Sequence, residues 1–166
     1  MYNKLTEGDI RKMEEEIEYR KLVVRKEAIE SVKEARAHGD LSENFEYHAA
    51  KKDKNKNESR IRYLEKMIKT AQIISDDSKE DEVGMNNTVE LYFEEDGETE
   101  TYKLVTTVRE NSLKGLISNE SPLGRAIMGH RTGERVFVKV SGTGGYYVVI
   151  RSVKKTMDEN EEIRRY

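Results

Sequence analysis

A chain of 166 residues whose charged side chains (38%) outnumber its hydrophobic ones (35%) cannot fill one large compact core, and must spend much of its length on solvated elements. A net charge of −3 excludes a simple polycationic nucleic-acid coat, and the lack of cysteine excludes disulfides and thiolate metal sites. No apolar run approaches the ~20 residues of a membrane span, and Met1 is followed by polar sequence, so neither an anchor nor a secretory leader is expected and the expected compartment is the cytoplasm.

The first predicted element is a long helix. Thr6 and Asp9 have the spacing of a capping box. Ile10, Met13, Ile17, Val24, Ala28, Val32 and Ala35 follow at steps of three, four and seven, which makes a single stripe on a helix. Gly39 is the expected stop, because glycine takes a left-handed cap conformation without a Cβ clash. A second helix is predicted from just after Asp40 to about Ile74, with its stripe at Tyr47, Ala50, Lys54, Asn57, Ile61, Leu64, Ile68 and Ala71. Its two central positions are polar, so the seam should weaken there. Two helices of roughly 30 residues, each about 45 Å long, joined by a short turn, form an αα-hairpin that buries both stripes and leaves the charges wet.

After the acidic segment at 76–84, expected to be a linker, the period changes from helical to alternating. Val89, Leu91 and Phe93 read as a strand, Glu95-Asp96-Gly97 as a turn, and the residues through Tyr102 and Leu104 as its partner. The short apolar stretch 115–118 comes next. Ser121-Pro122 should open a short helix, with Ser as cap and Pro in the first turn, and Gly129 should close it. Val136, Val138 and Val140 alternate again, 141–145 turns, and Tyr146 to Val153 returns. The predicted fold is α+β, with an antiparallel αα coiled-coil hairpin at 1–75 and a small antiparallel-sheet domain with one short helix at 85–153. The charged tail at 154–166 is expected to fray or form a short helix.

The chemistry sits at the turn of the hairpin, 39–44. Asp40 and Glu43 lie three apart where the second helix is predicted to start, and on spacing alone a helix cap is the commoner arrangement. The other reading presents both carboxylates together at the end of the arm, where their oxygens suit a hard cation such as Mg²⁺. Two carboxylates hold Mg²⁺ weakly, so such a tip would be half of a site completed by a partner. The two readings are compatible.

GDLSEN, flanked by EARAHG and EYHAA, resembles the coiled-coil tip of the Gre transcript-cleavage factors (GreA and GreB), and ISNESPLGRAIMGHRTGERV at 117–136 resembles the motif of that family's FKBP-like C-terminal domain. The resemblance runs from about Leu5 to Val153, and Leu41 with the EYHAA stretch is closer to GreA than to GreB. It implies a bacterial elongation factor without enzymatic activity of its own. The C-terminal domain would dock on RNA polymerase through the motif holding Ser121, Pro122, Leu123, Gly124 and Gly129. The hairpin would enter the secondary channel, and Asp40 and Glu43 would help hold a Mg²⁺ shared with the polymerase while it cleaves backtracked nascent RNA near its 3′ end. Gly39, Leu41, Ser42 and Asn44 would shape the tip or make contacts. A monomer is expected. The competing member of the same class is a channel-binding inhibitor that does not promote cleavage; the intact acidic pair argues against it. A dimerisation rod and a prolyl isomerase are the remaining alternatives.

Arg36, Lys51 and Lys52 are candidates for attracting RNA phosphates, set against the commoner solvated helix face. His38 and His48 flank the tip, but their spacing and that of His130 do not support a zinc site. Tyr47 is expected to pack across the hairpin, and Phe45 to be an exposed contact. Asp53 to Ser59 replaces a segment that is more apolar in the family, so the hairpin should be looser or differently packed at mid-length. The tail past Val153 is longer than usual.

Overall fold

The computed structural model describes residues 3–39, 44–156 and 158–165. They form two compact units: one holds Ile10–Gln72, the other holds Lys4–Asp9 and the chain from Ile73 onward.

The first unit is a pair of antiparallel helices. α1 (Glu7–Tyr19), a π-helical turn (Arg20–Val24) and α2 (Arg25–Ala37) form one continuous helical run, and α3 (Phe45–Lys69) returns alongside it. α1 opens on the expected box: the Asp9 amide donates to Thr6 Oγ1 (3.2 Å) and the Thr6 amide to Asp9 Oδ2 (3.0 Å). Both predicted stripes are buried or half-buried throughout, with Met13, Ile61 and Leu64 at the tightest positions. The second helix ends earlier than expected, at Lys69, because Ala71–Ile73 forms a short strand, β2, that pairs with β1 (Asn3–Leu5).

At mid-length, charge replaces apolar packing. Glu16 accepts from Arg60 Nε (2.8 Å) and Arg20 Nε (2.7 Å), and Arg20 Nη1 donates to Asn57 Oδ1 (3.0 Å). Asn57 Nδ2 donates to the Arg20 carbonyl (3.2 Å), which also accepts the i→i+5 bond from the Arg25 amide. The buried Asn57 is thus satisfied by the π turn facing it. Arg25 pairs with Glu58 and Lys21 with Glu65 across the same seam. The polar centre is a connected network of specific contacts. Burial alone would raise the Glu16 pKa, but hydrogen bonds from Arg60 and Arg20 hold it below its ordinary 4.5. A carboxyl lowered on folding contributes stability above its unfolded pKa, and the contribution is lost as pH falls through the folded value. Urea unfolding followed by helical circular dichroism should therefore show the hairpin weakening below pH 4.5. Glu16→Gln should flatten that dependence.

The second unit is a five-stranded sheet of order β5-β4-β3-β7-β6 with one helix on its inner face. β3 (Thr88–Phe93), β4 (Glu98–Val105), β6 (Arg135–Lys139) and β7 (Gly145–Lys154) pair antiparallel, whereas β5 (Leu116–Ser118) runs parallel to β4. Alternate residues Val89, Leu91, Leu104, Val136, Val138, Val148 and Ile150 face inward and are almost fully buried against Ile127 of α4 (Pro122–Ile127). β6 stops one residue short of the predicted alternation, and Val140 lies exposed in the turn. The acidic segment at 76–84 is drawn into this unit: Val83 is completely buried, its amide donates to the His130 carbonyl (2.9 Å), and Asp76 accepts from Asn87 Nδ2 (3.0 Å). No described part of the 154–166 tail is helical beyond β7.

Candidate functional site

The described chain reaches the hairpin turn from both sides. α2 ends at Ala37, and the His38 amide closes its last turn on the Ala35 carbonyl (3.2 Å). Gly39 takes φ +125°, which a side chain would resist, so the glycine stop is met. On the far side the cap of α3 is Asn44, in extended conformation, with Oδ1 accepting from the Tyr47 amide (3.0 Å). Its other side-chain atom, Nδ2, donates to the Ala35 carbonyl of α2 (2.6 Å). One residue thus caps the second helix and ties it to the end of the first. This corrects the expectation that α3 begins after Asp40 with Asp40 and Glu43 as its cap. Asp40, Leu41, Ser42 and Glu43 themselves lie outside the described residues.

Around this end, His38 Nδ1 lies 3.0 Å from Glu46 Oε2, a second tie between the helices. Tyr47 packs across the hairpin as expected, with the Arg36 guanidinium 5.6 Å from its ring centre. A hydrogen bond from Arg36, with Lys51 and Lys54 nearby, lowers the Tyr47 hydroxyl's pKa. Arg36, a candidate for phosphate attraction, is therefore engaged by Tyr47, while Lys51 and Lys52 are exposed. Phe45 is 87% exposed, an apolar ring beside the turn that nothing in the hairpin requires. Among the described residues no three His, Asp or Glu side chains converge on a metal position.

Asn44→Ala removes both the cap and the cross-helix bond, at a combined cost of about 2 kcal/mol. Amide exchange at Tyr47 should accelerate accordingly, and Asn44→Asp, which keeps the cap acceptor alone, should fall between.

The second motif is spelled mostly by the needs of α4. Ser121 Oγ accepts from the Gly124 amide (3.1 Å) and donates to the Ser118 carbonyl (2.6 Å), and Pro122 occupies the first turn. A Cβ on Gly124 would strike the Ser118 carbonyl, so glycine is required there for close packing. Leu123 is half-buried against the core, and Gly129 follows the helix at φ +79°. Pro122, Arg125 and Met128 remain exposed on this element, with Arg125 paired to Glu120 (2.9 Å).

What the residues build is a two-part factor: a helical hairpin with two carboxylates in its turn, and a small α+β unit carrying a capped Ser-Pro helix. The chain matches the model "Transcription elongation factor, N-terminal" over residues 3–73 and the model "Transcription elongation factor, GreA/GreB, C-term" over residues 71–155. It is 43% identical over 151 residues to the transcription elongation factor GreA of Geobacillus kaustophilus, covering 90% of this chain and 95% of that one. To GreA of Bacillus subtilis it is 42% identical over 131 residues, covering 79% and 83%. A similar solved structure is the GreA factor homolog 1 (Gfh1) protein of Thermus thermophilus, at 26% identity, TM-score 0.42 and coverage of 92% and 98%. The chain belongs to the GreA/GreB transcription elongation factor family, on its GreA side. Among its described residues no helix is long and apolar enough to cross a membrane.

Proposed function

We propose that the chain stimulates transcript cleavage by bacterial RNA polymerase: the hairpin enters the secondary channel, and Asp40 and Glu43 lend carboxylate oxygens to a Mg²⁺ shared with the enzyme. Bound there, Mg²⁺ supplies a Lewis acid that activates water and neutralises phosphate charge. The chain's own part is to position. The carboxylates orient the water in line with the scissile phosphodiester of the backtracked RNA, and Lys51 and Lys52 attract the RNA backbone. The α4 motif, through Pro122, Arg125 and Met128, docks the second unit on the polymerase exterior. The chain is a monomer with no nuclease activity alone.

The observation that supports this reading most is Asn44. It caps α3 and bonds α2, so the hairpin closes without calling on either carboxylate as the cap of that helix. The test is a backtracked elongation complex of the cognate polymerase with 5′-labelled RNA. Addition of the chain with Mg²⁺ should shorten the RNA and restart elongation, while the chain alone should leave free RNA intact. Binding without any acceleration of shortening would overturn the reading in favour of a channel-binding inhibitor.

A further inference from the structure

The C-terminal segment is unused by the reading above, yet its described residues 158–165 are held against the second unit by a dense set of polar contacts. Lys103 Nζ donates to the Asp158 carboxylate (2.9 Å), the Asp158 carbonyl (2.8 Å) and Glu161 Oε2 (3.0 Å). Arg109, whose side chain is wholly buried, donates through Nη1 to Glu161 Oε1 (2.9 Å), so Glu161 spends one oxygen on each cation. Asn86 Nδ2 donates to Glu159 Oε1 (2.7 Å), and the Arg164 amide donates to the Val108 carbonyl (2.7 Å).

The receiving surface carries features that are costly unless it is built to hold an acid. Asn86 sits at φ +68°, the one non-glycine with positive φ among the described residues. Gly8, in the first turn of α1, leaves bare the place where a Cβ would collide with the Glu159 carboxylate. Arg109 Nη2 is buried without a hydrogen-bond partner, with Glu159 3.8 Å away. The resident Asp9, 2.6 Å from Arg109 Nε, cancels one of the two cationic charges. What remains suits single carboxylates better than a dianion.

The segment is held by charge more than by apolar burial: Asp158, Asn160, Glu162, Arg164 and Arg165 are all exposed. Contacts of that kind are weakened by salt and exchange readily. We propose that Lys103, Arg109, Asn86 and the bare first turn of α1 form a carboxylate-binding socket for acidic peptide, and that the C-terminal segment is its built-in, releasable occupant. An acidic segment of another protein can then take its place.

The probe is a fluorescent synthetic peptide of residues 158–166, titrated by anisotropy against the full-length chain. A tethered occupant competes at an effective concentration near millimolar. Full-length Glu159→Gln/Glu161→Gln, whose own segment is weakened, should therefore bind the peptide at least tenfold more tightly than wild type. Adding Lys103→Met should abolish that gain, and raising the salt should reduce it. In parallel, the Arg164 amide should exchange at least tenfold faster in the double variant than in wild type. Equal binding by wild type and double variant, no binding by either, or undiminished binding of a peptide with Gln at both acidic positions would each overturn the proposal. Equal Arg164 exchange would do so as well.

Discussion

Asp40→Ala and Glu43→Ala should each slow RNA shortening in backtracked complexes by roughly two to three orders of magnitude, the loss typical of removing one preorganised charge-stabilising group. Affinity for the polymerase should change little, because docking is assigned to the α4 element and the hairpin's length rather than to these two side chains. Rate and affinity therefore have to be measured separately, the first by RNA shortening at saturating protein and the second by competition with labelled wild type. Excess Mg²⁺ should rescue Glu43→Gln partly, since an amide oxygen remains a weak ligand. If both alanine variants shorten RNA at the wild-type rate, the turn is not the reacting end of the chain.

The largest expected effect on stability lies at Asp9. Its carboxylate caps α1, accepts from Thr106 Oγ1 (2.7 Å) and pairs with Arg109 Nε (2.6 Å), and both partners of the pair are wholly buried. Asp9→Asn keeps the cap and the Thr106 acceptor but leaves Arg109 one counter-charge short. Breaking a buried pair from one side costs about 3–5 kcal/mol, which for a chain of this size lowers the thermal midpoint by about 10 °C. Adding Arg109→Met to Asp9→Asn should recover most of that loss, because the orphaned charge goes with it and Glu161 keeps Lys103. A double variant no more stable than Asp9→Asn would show that packing, not charge, accounts for the loss.

The Thr6–Asp9 cap was legible in the sequence and Asp9's larger role was not. A capping box is local, spaced three residues apart, whereas Thr106 and Arg109 lie about a hundred residues away and carry no pattern that points back. The helix stripes and the sheet's inner face were legible because their periods of 3.6 and 2 are printed directly in the apolar residues. The same pattern marked Lys54 and Asn57 as polar intrusions but could not show that a π turn opposite would satisfy Asn57. The start of α3 was misread because Asp40 and Glu43 imitate a cap while Asn44, one residue on, does the capping. The α4 motif was read correctly down to its Ser cap and Pro turn, since each residue there answers a backbone requirement of its own neighbourhood. The tail was opaque. A run of mixed charges reads as solvated unless the fold supplies Lys103 and Arg109 to receive it.

The π turn at Arg20–Val24 adds a residue to the helical ladder, and each residue of an α-helix advances the azimuth by about 100°. Deleting one residue there would restore regular winding and leave the helix from Arg25 onward close to its present phase, because the wide turn absorbs the extra residue. Deleting one residue from the start of α2, where nothing absorbs it, would instead rotate the helix beyond the deletion by about 100°. Ala35, whose carbonyl receives Asn44, would then leave the seam, and the two helices of the hairpin would no longer meet at their closing end. The π turn is thus a place on this arm where a codon can be lost while Ala35 keeps facing Asn44.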